Sequence, residues 1–179
     1  MKKLSKKFLH ECFTHTGGEL VWNTRPTRHF DSEPRSRTFN KQFAGKVAGA
    51  TRNKGAKQYT YITIGGSVYS AHSLTWFMYN GKPPTHHIDH INGNSLDNSI
   101  ENLRDVTQAE NNKNIKMTKK NKSGCVGVSL RGDNKKWVVR IGVNGKYKHF
   151  GAFKDFEFAE LLANEVHSYL GYHANHGSA

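Results

Sequence analysis

A lysine-rich stretch near the middle of the chain, KNIKMTKKNKSG at residues 113–124, constrains the fold more than any other feature. It carries five lysines and almost nothing apolar, so it adds little to a hydrophobic core. The segments on either side of it are patterned, and only 35% of the 179 residues are apolar. Two small domains are therefore expected, with residues 113–123 as a basic linker. This linker is a solvated spacer, a segment lying along a phosphate backbone, or both.

The charge of the chain indicates the kind of partner that it binds. A formal net charge of +13 and a pI near 9.8 favour a polyanion, with nucleic acid first. No apolar run approaches the roughly 18 residues of a membrane-spanning helix, and the basic start lacks the apolar core of a signal peptide. A cytoplasmic location is expected, and Cys12 and Cys125 are expected to be reduced structural thiols.

The first 85 residues contain one poorly patterned region and one well patterned region. Residues 23–42 are polar and interrupted by two prolines, so little regular structure is predicted there. QYTYITIGGSVYSAH alternates around a Gly-Gly pair, which predicts a hairpin with a two-residue turn. The next segment, SLTWFMYNGKPP, predicts a buried helix that ends at Asn80 ahead of two prolines. This hairpin and helix are the expected core of the first domain.

A polar segment follows, HHIDHINGNSLDNSIENLRDVTQAENN at residues 86–112. HHID and LRDV predict a pair of strands, and the Asn-, Gly- and Asp-rich residues between them predict a long structured turn. Thr107 and Glu110 form a capping-box pattern, which predicts a helix beginning at about Gln108. Two strands and a helix are therefore expected around a polar centre.

This centre has the side chains for phosphodiester hydrolysis. Asp89 and His90 are neighbours near a strand end, where adjacent side chains project to opposite sides. Asp89 and Asn111 are expected to hold one divalent cation, while His90 deprotonates water across the scissile phosphate. Oxygen ligands suit Mg²⁺ or Mn²⁺ better than zinc, and a neutral histidine is a suitable base at cellular pH. Asn102 is expected to brace the loop and to fix the tautomer of His90.

The segment DHINGNSLDNSIENLRDVTQAEN resembles the HNH endonuclease motif of the phage and intron homing type, in which asparagine replaces the last histidine. By this resemblance His90 is the catalytic histidine, Asn102 the central asparagine, Asn111 the final ligand and Asp89 the metal-binding acid. The similarity continues upstream through GSVYSAHSLTWFMYNGKPP and GELVW. It implies a ββα-metal nuclease domain within residues 1–112.

Five further positions of this region have open or altered roles. Ser73 and Ser99 stand where such proteins often have arginine, and neither is a proposed ligand or base. His72 matches the upstream histidine of the family and is either structural or functional. His86 and His87 either contact DNA or are simply exposed polar residues.

Residues 124–171 have a different pattern. VGVSL, KWVVRIGV and KYKHFGAF predict three short strands, with turns at residues 132–134 and at Asn144-Gly145. KDFEFAELLANEVHSYLG predicts one amphipathic helix over one face of the sheet. This region resembles the AP2 domain, whose three-stranded sheet lies in the major groove of DNA. Residues 172–179 form a tail.

Strand alternation assigns the two faces of this second sheet. Trp137, Val139 and Ile141 are predicted to face the helix, which leaves Lys136, Val138 and Arg140 outward. The predicted DNA-binding residues are Ser129, Arg131, Lys136, Arg140, Tyr147 and His149 on the sheet, with Lys119 and Lys120 in the linker. Arginine binds guanine through two hydrogen bonds, so Arg140 is the best candidate for base readout. The alternative is an exposed sheet whose cations are merely solvated.

Together these patterns and resemblances predict an α+β protein that is a site-specific DNA endonuclease. The resemblance to the HNH family implies the homing type and a bacterial or phage-infected cell. The protein would hydrolyse double-stranded DNA with one divalent cation and a histidine base, and the AP2-like domain would select the target. One HNH centre cuts one strand, so a nicking monomer without a protein partner is expected. A non-catalytic, sequence-specific DNA-binding regulator is the alternative. An RNA-binding protein ranks last, because no aromatic RNA-recognition motif is present.

Overall fold

The structure is a computed structural model that describes residues 4–55, 57–114, 117, 120–133, 135–172 and 176–177. It divides into two compact units, Met1–Val106 and Thr107–Ala179. The boundary lies before the predicted linker, so Asn111 belongs to the second unit. The finer division at residues 112, 123 and 171 stays a prediction. Among the described residues, no helix has the length and apolar character needed to cross a bilayer.

The described residues of the first unit form short antiparallel strands and three α-helices. The helices are α1 (Lys6–Cys12), α2 (Glu33–Phe43) and α3 (Ala71–Asn80). The strands are β1 (Phe13–Thr16), β2 (Glu19–Trp22), β3 (Ala50–Lys54), β4 (Lys57–Ile64), β5 (Ser67–Ser70), β6 (His87–His90) and β7 (Leu103–Val106). Strands β1 and β2 pair, β3, β4 and β5 form a sheet in that order, and β6 pairs with β7.

The predicted hairpin and helix are confirmed as β4, β5 and α3. Gly65 and Gly66 form the turn with φ of 57° and 82°, values that glycine adopts without strain. Helix α3 begins at Ala71 and ends where Gly81 adopts the left-handed conformation, with φ of 70°. The helix and hairpin contribute the buried side chains of Ile62, Ile64, Leu74 and Met78 to the core, alongside Leu9, Phe13, Leu20 and Trp22.

The prediction of little regular structure between residues 23 and 42 is wrong, because α2 covers residues 33–43. Pro34 lies in the first turn of this helix, where the missing amide hydrogen is not needed. Ion pairs from Asp31 to Arg35 and from Glu33 to Arg37 connect successive turns, and Phe39 packs on the core. The proline therefore starts a helix here instead of interrupting one.

The second unit contains a three-stranded sheet with one long helix. Its elements are α4 (Gln108–Asn111), β8 (Val128–Arg131), β9 (Lys136–Val143), β10 (Lys146–Phe153) and α5 (Phe156–Tyr169). The strands are antiparallel with β9 in the centre. Asn144 and Gly145 form the predicted turn with φ of 51° and 77°. Asn134, in the other predicted turn, lies outside the described residues.

Helix α5 packs on one face of this sheet, as predicted. Ala159 and Ala163 are fully buried against Val139 and Ile141, and Trp137 packs at the edge of the same core. Val138, predicted to face outward, is only 8% exposed. It lies in the central strand, opposite Ser129 on one side and Ala152 on the other, so neighbouring strands cover a short side chain. The mixture of helices and strands is confirmed, whereas the ββα-metal and AP2-like arrangements stay predictions.

Candidate active site

Asp89 and His90 end strand β6 and are both buried, with 7% and 5% of their surface exposed. Strand β7 pairs beside them as predicted, with Arg104 opposite Asp89 and Leu103 opposite His90. Because adjacent residues of a strand alternate, the two side chains meet different partners. One is held by a guanidinium group and the other lies among ring side chains.

The Asp89 carboxylate forms an ion pair with Arg104. Its Oδ2 atom accepts hydrogen bonds from Arg104 Nη2 at 2.7 Å and Nε at 3.0 Å. The guanidinium group therefore places a fixed positive charge beside this buried aspartate. The sequence reasoning did not include Arg104, although the predicted pairing of HHID with LRDV placed an arginine directly opposite Asp89.

The ring of His90 is oriented by Asn98. Asn98 is 4% exposed, and its Oδ1 atom lies 3.2 Å from His90 Nε2. Its Nδ2 atom donates to the carbonyl oxygen of Leu96 at 3.2 Å, which turns Oδ1 toward the ring. An amide oxygen only accepts, so Nε2 carries the proton and Nδ1 carries the lone pair. Burial lowers the pKa of His90, and the hydrogen bond with Asn98 and the charge of Asp89 partly oppose this.

Asn102 braces the loop, as predicted, but the predicted role in fixing the tautomer of His90 belongs to Asn98. Asn102 Oδ1 accepts from the backbone amide of Asn92 at 2.9 Å, and its Nδ2 donates to the carbonyl oxygen of Asp97 at 2.8 Å. Asn102 lies at the end of a 3₁₀ turn, Ile100–Asn102, so its side chain reaches across the loop backbone. Asn98 is closer to His90 along the chain than Asn102 is, and its side chain reaches the His90 ring.

Short polar side chains hold the rest of this loop. Asn92 Nδ2 donates to Asp97 Oδ2 at 2.7 Å, and the Ser99 hydroxyl and amide both donate to Asp97 Oδ1. The Ser99 hydroxyl is the first cause of the lowered pKa of Asp97. Ser99 thus has a loop-bracing function here, and Ser73 accepts a hydrogen bond from the Ser70 hydroxyl at 2.7 Å.

His72 and Tyr59 border the ring of His90. The His72 ring lies 5.4 Å from the His90 ring, edge to face, and 5.7 Å from the Tyr59 ring. Burial, followed by the charge of His90, lowers the pKa of His72 to about 4. His72 is therefore a neutral imidazole against the ring of His90 at neutral pH. His86 and His87 are exposed.

Acid should destabilise the first unit through His72. Between pH 6.5 and 4 the unfolded chain binds a proton that folded His72 does not, so stability falls as the pH falls through this window. Between pH 7 and 4.5 the free energy of unfolding should fall by about 2 kcal/mol less in His72→Phe than in the wild type. Urea unfolding at both pH values measures this. His87→Phe, at an exposed site, should keep the full loss, and equal losses in all three proteins would contradict the prediction.

The predicted ligands, Asp89 and Asn111, carry oxygen donors of the kind that a hard divalent cation prefers. Asp89 has a second carboxylate oxygen besides the Oδ2 bound to Arg104, and asparagine supplies an amide oxygen. No group of three or more His, Cys, Asp or Glu side chains forms a metal site in the part of the chain that the structure describes. Asp89 lies in the first unit and Asn111 in the second, so their pairing as ligands stays a prediction. Asn111 ends α4, whose predicted capping box is confirmed by hydrogen bonds between Thr107 and Glu110.

The second unit presents a separate polar surface. Register places Ser129 opposite Val138, Arg131 opposite Lys136, and Arg140 opposite His149. Opposite residues of antiparallel strands share a face, so all predicted sheet residues lie on the face away from α5: Ser129, Arg131, Lys136, Arg140, Tyr147 and His149. The Arg140 guanidinium lies 5.9 Å from the Tyr147 ring, and Arg131 pairs with Asp133 at 3.0 Å. Lys120 is exposed, and Lys119 lies outside the described residues.

Comparison with known proteins agrees with the chemistry of the first unit. Residues 69–113 match the family described as HNH endonuclease, and this range contains Asp89, His90, Asn102 and Asn111. The chain is also 36% identical over 80 residues to "Protein 3.8" of Escherichia phage T7. That similarity covers 44% of this chain and 66% of the phage protein. No solved structure matches the chain. Residues 69–113 therefore form an HNH endonuclease domain.

Proposed function

We propose that this protein is a metal-dependent endonuclease that hydrolyses phosphodiester bonds in double-stranded DNA. The observation that carries the proposal is the buried His90, held by Asn98 with Nδ1 as its basic nitrogen, next to Asp89 in an HNH domain. HNH nucleases generally use a divalent metal ion. The donor set of Asp89 and Asn111, the latter assigned by the motif alone, favours Mg²⁺ or Mn²⁺.

The chain's own groups would act in a fixed order. His90 Nδ1 takes a proton from a water molecule, and the oxygen of that water attacks phosphorus while the bond to the leaving oxygen breaks. The imidazolium formed at His90 is stabilised by Asn98, which accepts from Nε2, and by the charge of Asp89. The cation, when bound, would stabilise negative charge on the phosphate and the leaving oxygen. Asn102 keeps the loop that carries Asn98 in place.

The second unit would select the target as an AP2-like DNA-binding domain. We propose that Arg140 reads bases, supported by Tyr147 and His149, and that Lys119 and Lys120 contact phosphates. A separate reader raises the effective concentration of the nuclease at its site. A homing role in a bacterial or phage-infected cell is part of the same proposal, as is action by a monomer that nicks one strand.

The function is tested with supercoiled plasmid carrying the DNA that flanks the gene. Conversion to the nicked form in Mg²⁺ or Mn²⁺, but not with a chelator, is the expected result. Linear plasmid as the first product, formed only when two protein chains are present per DNA molecule, would contradict the prediction of a monomer that nicks one strand. DNA binding that persists with both metals, but without cleavage, would favour a non-catalytic DNA-binding regulator.

Asn98 is expected to contribute to the rate through His90. Asn98→Leu removes the acceptor at Nε2 and should slow cleavage by about 10- to 100-fold, because the base is no longer held in one tautomer and orientation. Asn98→Asp, which keeps an acceptor oxygen, should recover part of the rate. Asn94→Ala, at an exposed position of the same loop, is the matched control.

The double variant His90→Ala with Asn98→Leu tests whether Asn98 affects the cleavage rate through His90. If Asn98 acts through His90, the double variant cleaves no more slowly than His90→Ala alone. A further loss in the double variant, measured in single-turnover assays with saturating enzyme, would contradict the assignment.

A further inference from the structure

The β3–β4 hairpin forms an exposed edge of the first unit. Strand β3 is the outer strand of its sheet, and all five of its residues are exposed. Its sequence, ATRNK, contains two cations and no acid, and Lys57 begins the partner strand. An edge strand of this kind has no role in the hydrophobic core of the unit.

Three basic side chains share one face of this hairpin. Arg52 pairs opposite Tyr59 and Lys54 pairs opposite Lys57, and opposite residues of antiparallel strands lie on the same face. Tyr61 lies on this face too, with the Arg52 guanidinium 5.9 Å from its ring. Within the described part of the chain, none of the three cations forms an ion pair with an acid.

This basic face is continuous with the catalytic histidine. The Tyr59 ring lies 6.3 Å from the His90 ring, next to Lys57 and opposite Arg52. The buried Ser95 hydroxyl in the catalytic loop donates to the carbonyl oxygen of Gln58 at 2.6 Å, which ties the hairpin to that loop.

We propose that Arg52, Lys54 and Lys57 form a DNA-docking surface that binds backbone phosphates next to the scissile one. Charge complementarity indicates DNA as the partner of this surface. Three cations without paired acids favour a polyanion, and they adjoin the histidine that would act on DNA. This proposal rests on the proposed function for the identity of the occupant. Lysines on edge strands also prevent strand-to-strand aggregation, and this alternative predicts no effect on DNA binding.

The test measures DNA affinity against salt concentration with the full chain carrying His90→Ala, in chelator, so that the DNA stays intact. Replacing Arg52, Lys54 and Lys57 together by glutamine should make the negative slope of log K against log salt less steep by about 2 to 3, roughly 0.9 per lost phosphate contact. The matched control replaces three exposed lysines elsewhere in the unit by glutamine, Lys7, Lys41 and Lys82, which removes the same charge. Its slope should stay near that of the parent.

Three outcomes would overturn the surface. If the triple glutamine variant keeps the salt slope of the parent, only the edge-protecting role remains. If the control variant shows an equal fall in slope, the effect is one of net charge. If duplex RNA competes as well as DNA, the surface is not specific for DNA. A charge-preserving variant with Arg52→Lys, Lys54→Arg and Lys57→Arg should restore the slope, which separates lost contacts from misfolding. Because no cleavage is measured, a chain that never cuts DNA would still test this surface.

Discussion

Replacing His90 by alanine is expected to lower the rate of DNA cleavage by about 10²- to 10⁴-fold, the usual contribution of a positioned general base. The side chain is buried, and its Nδ1 is kept as the basic nitrogen by the hydrogen bond between Nε2 and Asn98. Without it, water must be deprotonated by solvent. Single-turnover cleavage of plasmid at saturating protein measures the chemical step separately from binding.

DNA binding should survive this change, because His90 is a buried residue at the end of β6 and contributes little to the positive charge of the chain. The matched control is His87→Ala, three residues upstream and exposed, which should cleave at near the wild-type rate. Affinity is measured in chelator by gel shift at fixed salt. A fall in rate confined to His87→Ala, or equal falls in both variants, would remove His90 as the base.

Replacing Arg104 by leucine is expected to destabilise the first unit by about 2 to 3 kcal/mol, the largest stability effect that the site predicts. Asp89 is 7% exposed, and both nitrogen contacts to its Oδ2 come from Arg104. Loss of the guanidinium leaves a buried carboxylate with less compensation, which costs more than the ion pair itself contributes. The Arg104 side chain is 30% exposed, which keeps the figure below that of a fully buried pair.

The second substitution Asp89→Leu should then restore part of the stability, since it removes the charge whose burial is unfavourable. Urea unfolding of the wild type, Arg104→Leu and the double variant measures both steps. The double variant should still not cleave DNA, even though it folds and regains stability, because Asp89 is a proposed metal ligand. A double variant less stable than Arg104→Leu would mean that the carboxylate contributes to folding through other contacts.

Local patterns in the sequence were sufficient for most elements with regular turns. The Gly65-Gly66 and Asn144-Gly145 pairs predicted these two hairpins, because such residues readily adopt the two consecutive positive φ values of a tight two-residue turn. The face of the second sheet followed from the two-residue repeat of strands. By contrast, α2 was missed because a proline can either begin or interrupt a helix, and only the packing of Phe39 on the core selects the first.

The sequence alone proposes His90 as the base and Asp89 as the metal-binding acid, because chemistry depends on residue types and their spacing in one short segment, and both roles stay predictions. Their supporting contacts depend on the three-dimensional arrangement. Asn98 and Asn102 are both asparagines of the same loop, and only the path of the backbone determines which one reaches the ring. Likewise His72 and Tyr59 lie far from His90 along the chain. They border it because the sheet and α3 pack against the catalytic loop, which local sequence alone does not specify.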